Sequence, residues 1–97
     1  MDIRVRVPAQ LRDVVGGAAV VEVAIGEPNG TATVATVLDG LATAHPALER
    51  RIRDEQGQLR PHVNLFVGSD NVRDRDGPQT PMAAGDELSV VPAVSGG

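Results

Sequence analysis

The residues of this chain best suited to chemistry are the last two, Gly96 and Gly97, which carry no side chain to bury. A backbone without Cβ atoms can pass through a narrow channel and carry its terminal carboxylate into the active site of another protein. The reaction that these residues would allow is therefore activation of that carboxylate by a partner. A frayed end or an expression scar would have the same composition, but the strand that comes before the glycines favours a functional tail.

That preceding strand is short and apolar. It runs from Leu88 to Val91, follows the tight turn Gly85-Asp86-Glu87, and leads into Pro92. A free chain end is expected to be mobile unless something holds it. We therefore predict a folded domain over residues 1–92 and a flexible tail over residues 93–97.

Other sources of chemistry are scarce. The chain has no cysteine, which excludes a disulfide framework, a thiolate nucleophile and a Cys-based metal site. His45 and His62 have no second ligand at metal-binding spacing, so both are interpreted as loop or strand-edge residues. The sequence therefore predicts a protein that is not itself an enzyme.

All 9 basic residues are arginine, and lysine is absent. Codon bias in a chain rich in Ala, Gly, Val and Arg explains this composition. A functional alternative is that an activated carboxylate would be attacked by a neighbouring lysine or cysteine, and this chain has neither. The net charge of −4 argues against a general nucleic-acid binder.

The N-terminus, Met1 to Arg4, lacks a basic region followed by an apolar run, so no signal peptide is predicted. No apolar stretch is long enough to span a bilayer. We expect a cytoplasmic, single-domain protein with neither a membrane nor a nucleic acid as partner.

The period of the apolar residues predicts the elements that position the tail. Alternation with a period of two is typical of half-buried strands. The predicted strands cover residues 3–7, 21–25, 62–68 and 88–91, with a short strand near Val72. A helical turn is predicted over residues 9–15, a short helix over 47–53, and a polar loop over 73–80.

The strongest helix signal follows Thr33, a suitable N-cap. Val34, Val37, Leu38 and Leu41 form one apolar stripe; Gly40 weakens the helix and Pro46 prevents its continuation. This order predicts an α+β fold in which the helix crosses one face of a mixed sheet and the last strand lies beside the first. The predicted core consists of Ile3, Val5, Val7, Val21, Val23, Val37, Leu38, Leu41, Leu65, Val67, Leu88 and Val90.

This strand–helix–strand order, Gly85-Asp86-Glu87-Leu88, Pro92 and the ending Ser95-Gly96-Gly97 resemble the MoaD/ThiS family of ubiquitin-like β-grasp sulfur carriers. The segment Ala9-x-Leu11-Arg12-Asp13 is similar to the family's first loop. Within the family, Val63–Val67, Asn71–Arg73 and Pro92–Gly97 most resemble the actinobacterial cysteine-biosynthesis sulfur carrier, although Ser95 and the lysine-free surface depart from the common pattern.

The resemblance implies a cycle at the C-terminus. A ubiquitin-activating-like adenylyltransferase and sulfurtransferase, using ATP and magnesium, would adenylate Gly97, and a sulfur donor would convert it to a thiocarboxylate. Gly96 would provide clearance, and this chain itself would bind no cofactor. The implied acceptor is an enzyme such as a cysteine synthase, and a metallopeptidase that releases the product is a further candidate partner.

Two alternatives stay open beside a carrier for cysteine or a related thio-metabolite. One is the small subunit of molybdopterin synthase, and the other is a ubiquitin-like modifier that forms amides with target lysines. The acceptor pathway, whether to cysteine, molybdopterin, thiamine or a secondary metabolite, is open at this point.

Strand alternation also predicts a docking surface. It places six side chains on the sheet face opposite the helix: Arg4, Arg6, Asn64, Phe66, Ser89 and Val91. Phe66 is the only aromatic residue, and aromatic and arginine side chains are favoured interface anchors. We expect Phe66 and Val91 to supply apolar contact, Arg4 and Arg6 to steer the complex, and the segment Pro92, Ala93, Val94 and Ser95 to enter the partner. In the alternative interpretation, the loop over residues 73–80 covers Phe66, or a twisted strand turns it inward.

Overall fold

The fold places the chain's last strand at the middle of a mixed sheet. The computed structural model describes residues 2–26 and 31–92, which contain seven strands and two α-helices. The strands are β1 (Asp2–Arg6), β2 (Val20–Ala24), β3 (Thr31–Thr33), β4 (Val63–Val67), β5 (Asp70–Asn71), β6 (Pro81–Ala83) and β7 (Glu87–Pro92). The α-helices are α1 (Val34–Ala44) and α2 (Pro46–Ile52), and 3₁₀ helices cover Ala9–Val15, Val72–Asp74 and Gly77–Gln79.

The main sheet has five strands in the order β2-β1-β7-β4-β5. β7 runs parallel to β1, with Val5 opposite Leu88, and antiparallel to β4, with Leu65 opposite Val90. The prediction that the last strand lies beside the first is confirmed. β1 pairs with β7 from Glu87 to Ser89, and β4 pairs with it from Leu88 to Pro92, so the last three residues of β7 are paired on the β4 side alone.

Helix α1 begins at the predicted cap. The Thr36 backbone N–H donates to Thr33 Oγ1 at 3.3 Å, and the Thr33 N–H donates to Thr36 Oγ1 at 3.4 Å, so two free donors at the helix start are satisfied. The helix ends at Ala44, before Pro46. Its predicted apolar stripe is buried as a unit: Val34, Val37, Leu38 and Leu41.

The structure explains why residue 40 is a glycine, which the sequence pattern did not reveal. A Cβ built at Gly40 would lie 2.6 Å from Val23 Cγ1 and 3.4 Å from Ile25 Cδ1. Helix α1 therefore approaches β2 too closely for a methyl group. The glycine that weakens the isolated helix permits its packing in the folded protein.

All twelve predicted core residues lie in the apolar interior, with Val67 half-buried and the others buried. Residues missing from the predicted core are also buried: Ile25, Ala32, Val34, Leu48, Ile52, Val63, Val72 and Met82. Leu48 and Ile52 come from α2, which begins at Pro46 and ends at Ile52 rather than spanning residues 47–53. Proline suits the first helical turn because its missing N–H would have no partner there.

Two local predictions were wrong. Val72 does not belong to a strand but begins a 3₁₀ helix, where the Asn71 side chain accepts a hydrogen bond from the Arg73 N–H at 3.0 Å. The polar stretch 73–80 contains two 3₁₀ segments rather than open loop, and it leads into β6, which pairs with β3 in a small second sheet. These short elements close the end of the core near α1, where the Val34 N–H donates to the Thr80 carbonyl at 2.9 Å.

Truncating the α1 stripe should be costly. Leu38 and Leu41 are 0% exposed, so replacing either with alanine is expected to reduce the free energy of unfolding by about 2–5 kcal/mol. Thr43→Ala, on the exposed side of the same helix, is the control and should stay within about ±0.5 kcal/mol. Chemical denaturation measures all three variants. A control-sized effect at Leu38 or Leu41 would contradict the helix register.

Gly40→Ala should also lower stability, although alanine improves helix propensity by about 1 kcal/mol. The added methyl group meets buried Val23, and overpacking of this kind typically costs about 1–3 kcal/mol. A double-mutant cycle with Val23→Ala checks the cause. Gly40→Ala should become neutral or stabilising in the Val23→Ala background, and equal effects in both backgrounds would rule out the contact.

Candidate partner-binding face

The sheet face that points away from α1 is the accessible one. Burial alternates along β1, with Ile3 and Val5 buried and Arg4 and Arg6 exposed. The same alternation continues across the sheet, so the outward side chains are at least partly accessible. They include Arg4, Arg6, Glu22, Asn64, Phe66, Ser89 and Val91. The predicted assignment of residues to this face is confirmed.

The strand register places five of these outer residues in one row that crosses the whole sheet: Val20, Arg6, Ser89, Phe66 and Asn71. Phe66 therefore lies between a serine on one side and an asparagine on the other. Beside this row, Val91 lies opposite Asn64. Two apolar residues of the face, Phe66 and Val91, are thus on neighbouring strands, β4 and β7, near Pro92, whereas Val20 lies on β2 at the far side of the sheet.

Phe66 is half-buried, and it is not among the half-buried apolar residues that pack against the core. Its position on the outer row excludes the alternative in which a twisted strand turns it inward. Val91 is 43% exposed and is the one large hydrophobic residue of residues 2–26 and 31–92 that is exposed. Single exposed apolar residues are common, but this pair lies together beside the chain exit.

Acidic residues lie beside the arginines of this face, and the sequence reasoning did not predict these neighbours. Arg6 Nη1 lies 3.5 Å from Glu87 Oε1, and Arg4 lies opposite Glu22 on β2 and Glu87 on β7. The Arg6 and Glu87 side chains are 62% and 31% exposed, so solvent screens their ion pair and it contributes little stability. The face therefore offers alternating charges rather than a uniformly basic patch.

Side-chain hydrogen bonds join the residues at the opposite edge of the face. Asn64 Oδ1 accepts from Arg73 Nε at 3.3 Å and from Asn71 Nδ2 at 3.5 Å. Neither Asn71 nor Arg73 was singled out as a site residue from the sequence. Their bonds join residues of different elements, so no local pattern in the chain announces them.

Pro92, the last described residue, is half-buried opposite Val63. The other predicted tail residues, Ala93, Val94, Ser95, Gly96 and Gly97, lie outside the described part of the chain. The acyl role of Gly97 and the clearance role of Gly96 therefore stay predictions. What the structure provides is the strand from which that segment departs.

The helical side of the molecule carries a different chemistry. A surface cavity of about 700 Å³ is lined mostly by charged residues of α1, α2 and the following loop. Arg53 crosses it, with Nε 2.6 Å from Glu49 Oε2 and Nη1 3.0 Å from Asp39 Oδ1. These ion pairs join the two helices, which is a structural role.

Three or more His, Cys, Asp or Glu side chains do not come together anywhere in the described ranges in a way that could hold a metal ion. His45 joins α1 to α2, and His62 is exposed just before β4. No helix within the described residues is long and apolar enough to cross a membrane.

Comparison with known proteins decides the family. The model of the ThiS family matches residues 5–97. The chain belongs to the ThiS family. The predicted resemblance to ubiquitin-like sulfur carriers of the MoaD/ThiS type is thereby confirmed, and the match includes the final glycines.

The relatives of this ThiS-family chain include carriers and modifiers. It is 32% identical to the sulfur carrier protein CysO of Mycobacterium tuberculosis over 100% of both chains. It is 42% identical to small archaeal modifier protein 1 of Haloferax volcanii over 73 residues, or 71% of this chain and 75% of the relative. Both are named as small carrier or modifier proteins, not as catalysts.

Solved structures confirm the β-grasp fold for this ThiS-family chain. It superposes on a chain of the Amycolatopsis orientalis BexX/CysO complex with a TM-score of 0.83 at 32% identity, covering 98% of this chain and 99% of that one. It also matches SAMP1 from Haloferax volcanii with a TM-score of 0.81 at 36% identity over 100% of both chains. The first of these structures is of a carrier-type protein in complex with another protein.

Removing the aromatic side chain of this face should weaken binding more than folding. We expect Phe66→Ala to lower affinity for a partner protein that docks on this face by more than about 1 kcal/mol, because Phe66 is partly accessible and outside the core. Val67→Ala is the matched control, since Val67 is the next residue on β4 and packs against the core. It should reduce stability and leave affinity unchanged.

Titration calorimetry and denaturation of both variants make the comparison. If Phe66→Ala loses stability and keeps its affinity, this face is not the docking surface.

Proposed function

We propose that this chain is a sulfur carrier whose Gly97 carboxylate is adenylated and then converted to a thiocarboxylate. The observation that carries the proposal is the alignment of the whole chain, through its last residue, with ThiS-family proteins that include the carrier CysO. The fold supports it, because β7 leads directly to the tail from the middle of the sheet.

The chemistry is group transfer at one carbon atom. A Gly97 carboxylate oxygen attacks the α-phosphorus of ATP, and pyrophosphate leaves, with magnesium held by the activating enzyme. Hydrosulfide delivered by the sulfur source then attacks the acyl carbon, AMP leaves, and loss of the S–H proton gives the thiocarboxylate. The adenylate is needed because a free carboxylate is a poor electrophile, whereas AMP is a good leaving group.

This chain contributes position rather than catalytic side chains. Gly96 gives the tail the slimness to enter a narrow active site, and Pro92, Ala93, Val94 and Ser95 span the distance between the domain and that site. Phe66 and Val91 provide the apolar contact. Arg4 and Arg6, each beside a glutamate, select a partner with an alternating charge pattern rather than attracting any acidic surface.

The product of the cycle is proposed to supply sulfur for cysteine or a related thio-metabolite. The full-length similarity to CysO, which is named as a sulfur carrier, favours this branch. The partners are then an adenylyltransferase and sulfurtransferase, an acceptor such as a cysteine synthase, and a metallopeptidase that releases the product.

Protein modification is the second candidate, and the similarity to small archaeal modifier proteins favours it. The chain is 42% identical to modifier protein 1 over 73 residues and 34% identical to modifier protein 3 over 100% of both chains. The activated Gly97 would be the same in this function. The acceptor would be a lysine amine of a target protein instead of a sulfur nucleophile.

The tail is tested by shortening it. Deleting Gly97, or replacing Gly96 with leucine, should abolish thiocarboxylate formation without lowering the midpoint of thermal unfolding, because neither glycine has a side chain that could contribute to the core. Intact-mass analysis after incubation with the activating enzyme, ATP and a sulfur source gives the readout, and Thr43→Ala on the exposed side of α1 is the control. Normal conversion of either tail variant would refute the assigned site.

The same mass measurement separates the two candidate functions. A carrier shows replacement of one oxygen by sulfur at Gly97. A modifier shows larger species in which the tail is joined to another protein, and peptide sequencing would place the bond on lysine.

A further inference from the structure

Near Pro92, where the described part of β7 ends, the side chain of Arg73 has several backbone and side-chain partners. Arg73 Nη2 donates to the Arg60 carbonyl at 2.8 Å and to the Val63 carbonyl at 2.7 Å. Its Nε donates to Asn64 Oδ1 at 3.3 Å. One side chain thus holds three acceptors at the start of β4, from residues 9 to 13 positions away along the chain.

The two carbonyls that Arg73 holds are the ends of one turn. The Val63 N–H donates to the Arg60 carbonyl at 3.0 Å, which closes the turn that leads into β4. β5 pairs with β4 only at Phe66 and Val67, so its bonds do not reach this end of the strand. At the start of β4, Arg73 supplies donors on the side where β5 has ended.

The same end of β4 is where β7 ends. Val63 lies opposite Pro92, the last described residue. Because the two strands are antiparallel, the turn from Arg60 to Val63 leads into β4 beside the end of β7. Proline has no N–H, so β7 has one donor fewer at this point with which to hold its position.

We propose that Arg73 is a positioning residue for the tail. By fixing the turn and the first residues of β4, it fixes the wall against which Pro92 lies, and so the direction in which residues 93–97 depart. The effect on catalysis rests on the proposed function, whereas the effect on direction concerns this chain alone. In this proposal Arg73 acts through β4 and Pro92 and not on the reacting atoms.

Positioning the turn in this way requires the planar, forked set of N–H donors of a guanidinium group. Nη2 donates to the two carbonyls, and Nε donates to Asn64. Lysine cannot reproduce this planar arrangement of donors. Arg73→Gln removes the fork and the charge, and Arg73→Lys removes the fork and keeps the charge. Arg75→Gln is the matched control, because Arg75 follows closely in the same segment and its side chain pairs with the exposed Asp70 side chain at 2.9 Å.

Direction is measured without any partner. The chain has no cysteine, so Ala47→Cys on exposed α2 and Ser95→Cys in the tail give two unique sites for spin labels. Pulsed electron paramagnetic resonance reports the distribution of distances between them. We expect Arg73→Gln and Arg73→Lys to broaden or shift the distribution and Arg75→Gln to leave it unchanged. An unchanged distribution in both Arg73 variants overturns the proposal.

The consequence for the reaction is measured by steady-state adenylation of the unlabelled proteins. A misdirected tail should lower kcat by about tenfold or more while KM changes by less than about twofold, because the docking face stays in place. Asn64→Ala leaves the two hydrogen bonds from Arg73 to backbone carbonyls intact. Because Asn64 lies on the docking face, this variant should change KM rather than kcat. A wild-type rate for Arg73→Lys would mean that charge rather than geometry acts, and would overturn the proposal. If wild-type protein is not adenylated, the proposed function fails, and the distance measurement alone decides the role of Arg73.

Discussion

The parallel pairing of β7 with β1 is the interaction on which the rest of the structure depends. It joins the last strand to the first, and β4 then completes the sheet on the other side of β7. Leu88 and Val90 thereby meet residues from both ends of the chain in one apolar interior. Leu88 and Ser89 are therefore paired on both sides, whereas Val90 to Pro92 pair with β4 alone.

The two faces of the sheet, both of which receive side chains from β7, have different roles. One face is covered by α1, at a distance so short that Gly40 has no room for a methyl group beside Val23. The other face carries Phe66 and Val91 between a charged side and a hydrogen-bonded side. Strand alternation assigns each residue of β7 to one face, so packing and recognition are separated within one element.

Sequence reasoning succeeded where the signal is local and periodic. The Thr33 cap, the apolar stripe and Pro46 define α1, and alternation defines β1, β2, β4 and β7, so these elements and their buried faces were predictable. The place of β7 beside β1 followed from the need to bury both apolar faces and from the order of the elements.

The parts that were missed depend on contacts between distant segments. β3 and β6 are three residues each, too short for a period to show, and they exist because they pair with each other. Val72 was assigned to a strand because it is apolar, whereas the Asn71 side chain starts a 3₁₀ turn there. Glu22 and Glu87 come beside the arginines only through register, and Arg73 reaches its acceptors only through tertiary structure.

The orientation of the terminal strands has a mechanical consequence. Because β1 and β7 are parallel, the two ends of the domain point in opposite directions along the sheet, with Asp2 at one edge and Pro92 at the other. A pull on the tail against a hold at the first strand would load all the hydrogen bonds between these strands together, in shear, rather than peel them one at a time. Forced unfolding is governed by the rate of crossing that barrier rather than by equilibrium stability. The pairing of β1 with β7 therefore resists a pull between the first strand and Pro92 more strongly than a pull that separates the two strands bond by bond.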